Sequence, residues 1–160
     1  MDNMDGQVSK GTPTKSGERK LRLLITDDSK LLRKKLREEL ENLGCEVIEA
    51  QNGKEAITYD LEQEPDGVFL DIVMPEVGGI ETLQVIREVS PDVPVVMLSS
   101  AGTPQKLMQT LKMGAIDFIQ KPYTKEQIAR AVESIRKTRE KNLRKAASKK
   151  VDENVGEGED

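Results

Sequence analysis

Four short stretches of this chain carry side chains suited to metal or phosphoryl chemistry: Asp27–Asp28, Asp71, Ser99–Ser100 and Lys121. They supply carboxylates, hydroxyls and an ammonium. The sequence contains no histidine, which removes His-based triads and most zinc sites. Metal binding therefore falls to oxygen ligands, and those suit Mg²⁺ or Ca²⁺. Three carboxylates brought together repel, and each would rather take up a proton than stay charged. A divalent cation resolves that conflict. A metal, a lysine and a hydroxyl around one carboxylate make a site for a transferring phosphoryl group. Each residue taken alone has a plainer reading. Asp27, Asp28 and Ser29 could cap a helix start, Asp71 could open a turn, Ser99 could sit in a loop and Lys121 could be solvated. The chemical reading stands only if the fold brings them to one place.

The elements that must do so are legible as alternating patterns. Residues 1–20 are rich in Gly, Ser, Thr, Lys and Asp and read as a disordered arm. Short apolar runs at 21–26, 45–50, 67–71, 94–99 and 115–120 read as strands. Amphipathic stretches between them read as helices over 29–43, 53–63, 79–89 and 104–113, with a last helix opening at Thr124. Leu32, Leu36, Leu40 and Leu43 mark the buried side of the first helix, and Ala56, Ile57 and Leu61 that of the second. Gly44 ends the first helix, Pro104 opens the fourth, and Thr124 with Gln127 forms a capping box. Five βα units in succession predict an α/β, doubly wound parallel sheet covered by helices on both faces. In such sheets ligands bind at the carboxyl ends of the strands. Asp27–Asp28, Asp71, Ser99 and Lys121 all fall at or just past predicted strand ends.

Four motifs, in order, sit on those ends: TDDS at 26–29, LDIVMPEVGG at 70–79, VVMLSSAG at 95–102 and GAIDFIQKPY at 114–123. This set resembles the receiver domain of two-component response regulators, over residues 21 to 136. The length resembles the stand-alone, chemotaxis-type receivers. The resemblance implies a flavodoxin-like (βα)5 fold with strand order 2-1-3-4-5. It implies that Asp71 is the phosphoacceptor, that Asp28 ligates Mg²⁺ directly, and that Asp27 holds it through water. Asp71 and the backbone carbonyl of Val73 complete the metal set. Lys121 would pair with the phosphate, with a cis peptide before Pro122. Ser99, 22 residues before Lys121, matches the switch hydroxyl, and Phe118 the switch aromatic. Val73 and Ala101 are apolar at positions flanking an attacking water, which implies slow self-dephosphorylation. The implied donor is a histidine kinase or phosphotransfer protein, because a chain without histidine cannot carry the phosphohistidine. The implied reader is a downstream protein that recognises the face made by helix four, strand five and helix five. The chain would act on itself rather than on an outside substrate. A monomer is expected, with dimerisation on phosphorylation left open.

Other classes fit less well. A dehalogenase-like phosphatase would want a second acid two residues after its nucleophile, where Val73 stands. A flavodoxin-like binder would place Asp27–Asp28 against a phosphate. A receiver without phosphorylation, used only for binding, would have no need of the full acidic set. The net charge of −4 argues against general nucleic-acid affinity. One cysteine, Cys45, allows no internal disulfide, and its place after Gly44 in an apolar run predicts a buried, inert thiol. No apolar run reaches the roughly 20 residues needed to span a bilayer, so no membrane insertion and a cytoplasmic setting are expected. Residues 139–160 read as a charged tail, basic up to Lys150 and then acidic. The plain reading is a helix that outlasts its core contact and ends in a disordered acidic stretch; a basic patch for a partner is the sharper one.

Overall fold

The structure is a computed structural model that describes residues 20–100 and 103–159, with side chains described up to residue 148. The N-terminal arm expected over 1–20 lies almost wholly outside the described residues. Five strands, β1 (Arg22–Thr26), β2 (Glu46–Ala50), β3 (Gly67–Asp71), β4 (Val95–Ser99) and β5 (Asp117–Gln120), alternate with five helices. The helices are α1 (Lys30–Asn42), α2 (Gly53–Gln63), α3 (Gly79–Val89), α4 (Pro104–Lys112) and α5 (Lys125–Glu159). All strand pairs are parallel, in the order β2-β1-β3-β4-β5. The expected fold and strand order are those observed.

Period-two alternation splits the core into two layers. Leu23, Ile25, Phe69, Val96 and Leu98 face α1 and α5, where Leu36, Leu40, Ile128, Val132 and Ile135 meet them. Leu24, Val68, Leu70, Val95 and Met97 face the other way, onto Ala56, Leu83 and Ile86 of α2 and α3. Every residue of β3 and β4 is buried, as central strands of a doubly covered sheet must be. Cys45 is buried as expected, and burial pushes its thiol up, away from the reactive thiolate.

Several local expectations are corrected. Leu43 and Leu61 are exposed, at 44% and 54%. Leu43 falls past the end of α1, as its C-cap. The inward line of α2 runs through Gly53, Ala56 and Asp60, at the i, i+3, i+7 spacing of one helix face. Leu61 is one residue off that line and points out. Asp60 takes the buried place because Ser90 Oγ donates to its Oδ2 at 2.5 Å. Strand β5 begins at Asp117 rather than 115. Helix α5 continues to Glu159, so residues 139–159 are helical where an irregular acidic end was expected. Runs of Lys, Arg, Ala and Glu have high intrinsic helix propensity, and bonds from Arg139 to Asp66 and from Asn142 to the Asp92 carbonyl help hold the start of this extension. No helix among the described residues is long and apolar enough to cross a membrane.

Candidate functional site

The four sequence stretches meet at the carboxyl edge of the sheet. Asp27 follows β1 and is 2% exposed. Its Oδ1 accepts from the Ser29 amide at 2.9 Å, and its carbonyl accepts from Arg33 Nη1 at 2.6 Å. The second contact was not foreseen. Arg33 also bonds Glu49 at 3.0 Å, so α1 and β2 together fix the Asp27 backbone. Asp28 is exposed at the mouth. Ser29 then caps α1, accepting from the Leu32 amide at 3.3 Å.

Asp71 ends β3 and is 3% exposed. Its Oδ1 accepts from the Val73 amide at 3.2 Å. Its Oδ2 accepts from Lys121 Nζ at 2.9 Å. The loop after β3 turns so tightly that Gly79 N donates to the Ile72 carbonyl at 2.9 Å. A Cβ on Gly79 would collide with the Asp71 carbonyl oxygen and Ile72 Cα, so only glycine lets α3 start here. Val73 stands at the mouth, 48% exposed.

Lys121 follows β5, and its amide donates to the Ser99 carbonyl at 2.8 Å. That bond ties the ends of β4 and β5 together. The Lys121–Pro122 peptide is cis, as the resemblance implied. Lys121 Nζ also lies 3.0 Å from Asp27 Oδ2, so one ammonium bridges the two buried carboxylates. Ser99 is buried at the end of β4. Phe118 pairs in register with Met97, on the α3 side of the outer strand, and is 37% exposed. Ser100 is half-buried and its carbonyl accepts from Thr103 Oγ1 at 2.8 Å; Ala101 lies outside the described residues.

The electrostatics follow from this crowding. Burial pushes Asp71 up to about 6, with the Asp27 charge adding to it and the Lys121 and Val73 bonds only partly opposing it. Burial alone would lower the Lys121 ammonium, but the carboxylates of Asp71 and Asp27 outweigh it and hold it raised. One ammonium does not balance three carboxylates. One oxygen each of Asp27, Asp28 and Asp71 lies within 4.8 Å of the others. Three hard oxygen donors, two buried and one at the mouth, fit a hard divalent cation such as Mg²⁺.

Tyr123 closes the last of the four motifs. Its ring packs against the α1–α5 core layer, and its hydroxyl is buried without a hydrogen-bond partner. The signal was an aromatic with a polar tip two residues after the lysine, which packing alone does not require.

An acidic, lysine-bridged pocket at the switch point of a doubly wound sheet defines a class: flavodoxin-like folds that handle a divalent cation and a phosphoryl group. The family model described as response regulator receiver domain matches residues 23–133, and the chain belongs to that family. It is 35% identical to the chemotaxis protein CheY of Thermotoga maritima, over 72% of this chain and 98% of that one. It is 38% identical to the CheY of Listeria monocytogenes, over 73% of this chain and 99% of that one. Among solved structures, the receiver domain of NtrX from Brucella abortus superposes with a TM-score of 0.68 at 29% identity, covering 71% of this chain and 96% of that one. The chain is thus a receiver domain of two-component signalling. In this family an aspartate phosphorylation site and Mg²⁺ binding are general features, and receivers interact with histidine kinases and downstream targets.

Proposed function

We propose that this chain is a phosphorylation-activated response regulator that accepts a phosphoryl group on Asp71 and signals by changing shape. The observation that carries the reading is Lys121 Nζ between two buried carboxylates, 2.9 Å from Asp71 and 3.0 Å from Asp27, with Asp28 completing the acidic set. A carboxylate oxygen of Asp71 attacks the phosphorus of a donor phosphohistidine. The P–N bond breaks, its electron pair returns to the imidazole, and an acyl phosphate forms on Asp71. Asp28 directly, Asp27 through water, Asp71 and the Val73 carbonyl would hold Mg²⁺, which when bound neutralises charge on the phosphoryl oxygens.

Lys121 then turns from the carboxylates to a phosphoryl oxygen. The Ser99 hydroxyl bonds another. Phe118, partly exposed beside α4, moves into the space Ser99 leaves. The face of α4, β5 and α5 changes, and a protein partner reads it. A few kcal/mol between two conformations suffices for such a switch. The donor is a cytoplasmic histidine kinase or phosphotransfer protein. The chemistry acts on the chain itself, in forming and hydrolysing its own aspartyl phosphate.

The test is the intact mass of wild type and Asp71→Ala after incubation with acetyl phosphate. A gain of one phosphoryl group, roughly 80 Da, is expected in wild type with Mg²⁺ only, and none in the variant. A gain that persists in Asp71→Ala would refute Asp71 as acceptor.

A further inference from the structure

Arg33 is a cation held at both ends beside an acidic site. It lies in the first turn of α1, and its side chain is 11% exposed. Nη1 donates to the Asp27 carbonyl at 2.6 Å, and Nε donates to Glu49 Oε1 at 3.0 Å. Glu49 is itself anchored, because Arg37 Nη1 donates to its other oxygen at 2.9 Å. Arg37 Nε in turn bonds Glu41 at 3.0 Å.

The Asp27 carbonyl belongs to the peptide plane that leads into Asp28. Before this plane, the Asp27 amide donates to the Ala50 carbonyl at 3.3 Å. After it, the Ser29 amide donates to Asp27 Oδ1 at 2.9 Å. The Arg33 bond fixes the rotation of the plane between them. Asp28 is exposed, so the direction of its carboxylate depends on the backbone that carries it. One of its oxygens nonetheless lies within 4.8 Å of one from Asp27 and one from Asp71. Pinning α1 to β2 needs only the Glu49 ion pair, whereas the carbonyl bond serves the loop. Charge alone gives no reason for a guanidinium here, since it repels a divalent cation.

Resting on the function proposed above, we infer that Arg33 is a positioning residue for Mg²⁺, whose bond to the Asp27 carbonyl holds the Asp27–Asp28 peptide so that Asp28 is aimed at the metal position. Glu49 holds the guanidinium in the orientation that makes this bond. Lysine cannot replace it, because a single ammonium on a flexible stem lacks the planar fork that reaches carbonyl and carboxylate together.

The full chain is compared as wild type, Arg33→Lys, Arg33→Gln and Arg37→Gln, by calorimetric melting over a MgCl₂ series. A ligand that binds the folded state raises Tm by an amount set by its concentration relative to Kd. Both Arg33 variants should bind Mg²⁺ about tenfold more weakly, the low end for groups that orient metal ligands. Arg37→Gln should bind as wild type does. Labelling of the Arg33 variants by acetyl phosphate, read by intact mass, should need correspondingly more Mg²⁺ and then reach the wild-type extent. Unchanged Mg²⁺ affinity overturns the inference even where a variant melts lower without Mg²⁺, because the bond is then purely structural. Tighter binding by Arg33→Gln also overturns it, since only the loss of a repelling charge is then felt. Should Arg33→Gln not fold, Arg33→Lys, which keeps the charge, decides the matter. Wild type whose Tm does not respond to Mg²⁺ is the separate failure of the underlying reading, and the inference falls with it.

Discussion

At the scale of single residues, Asp71 owes its chemistry to its surroundings. It is buried at a strand end, faces a second buried carboxylate and leans on one lysine. Burial and the second carboxylate raise its affinity for a proton, the lysine opposing them only in part, and make a cation the favourable counter-charge. The residue that meets water on the open side is Val73, whose side chain is apolar and 48% exposed. It offers no hydrogen bond to orient a water toward an aspartyl phosphate. Self-dephosphorylation should accordingly be slow, and Val73→Asn should speed it by about tenfold, the value of one positioned hydrogen bond. Decay of the phosphorylated mass after removal of phosphodonor measures both. A wild-type half-life of seconds, or an unchanged rate in the variant, contradicts this account.

At the scale of elements, the site depends on helices meeting the sheet at fixed angles, and one such contact carries a buried charge. Asp60 on α2 is 2% exposed and accepts from Ser90 at the end of α3. Burial raises its proton affinity, and the Ser90 bond opposes this only in part. The folded state therefore holds a proton that the unfolded chain, with an ordinary value of 3.8, has already released. Stability from this group is present below that ordinary value and is lost as pH rises toward the raised one. Asp60→Asn keeps an acceptor for Ser90 and removes the charge. It should stabilise the protein at pH 7 by about 1 kcal/mol, the smaller end of the cost of burying a poorly compensated polar group. The gain should vanish near pH 4. Denaturant melts of both proteins at the two pH values provide the check, and a difference independent of pH would count against it.

At the scale of the whole molecule, α5 is the element that outgrows the fold. Its 35 residues span about 52 Å at 1.5 Å per residue, several times a five-residue strand. Past the core contact of Ile135, polar contacts to distant segments help secure it. Arg139 Nε donates to Asp66 Oδ1 at 2.7 Å, and Asn142 Nδ2 donates to the Asp92 carbonyl at 2.8 Å. Asp66 and Asp92 precede β3 and β4, so these contacts lie at the end of the sheet opposite Asp71. Asp66 also accepts from the Arg22 amide at 2.8 Å and is 7% exposed. Arg139→Ala should cost about 1–3 kcal/mol by weakening the support of a buried carboxylate, seen as a lower urea midpoint. Phosphorylation of Asp71 should be unchanged, because the two ends are separated by the length of the strands. Loss of phosphorylation in a folded Arg139→Ala would show that the ends are coupled.

The amino-acid sequence by itself determined the βα alternation, the parallel sheet and the residue types at its edge. Hydrophobic period and glycine or proline punctuation are local properties, and Asp27, Asp28, Asp71, Ser99 and Lys121 each follow or end a recognisable apolar run. Tertiary structure alone decided which side chains face inward where the pattern was ambiguous. Asp60 displaced Leu61 because a serine on another helix, 30 residues away, satisfies it. Arg139 continued α5 because an aspartate 73 residues earlier receives it. Lys121 and Asp27 came within 3.0 Å only when β1 and the turn after β5 were brought to one edge. Periodicity records how a residue relates to its own element. Hydrogen bonds and charges between distant segments depend on where the elements dock, and no local pattern carries that information.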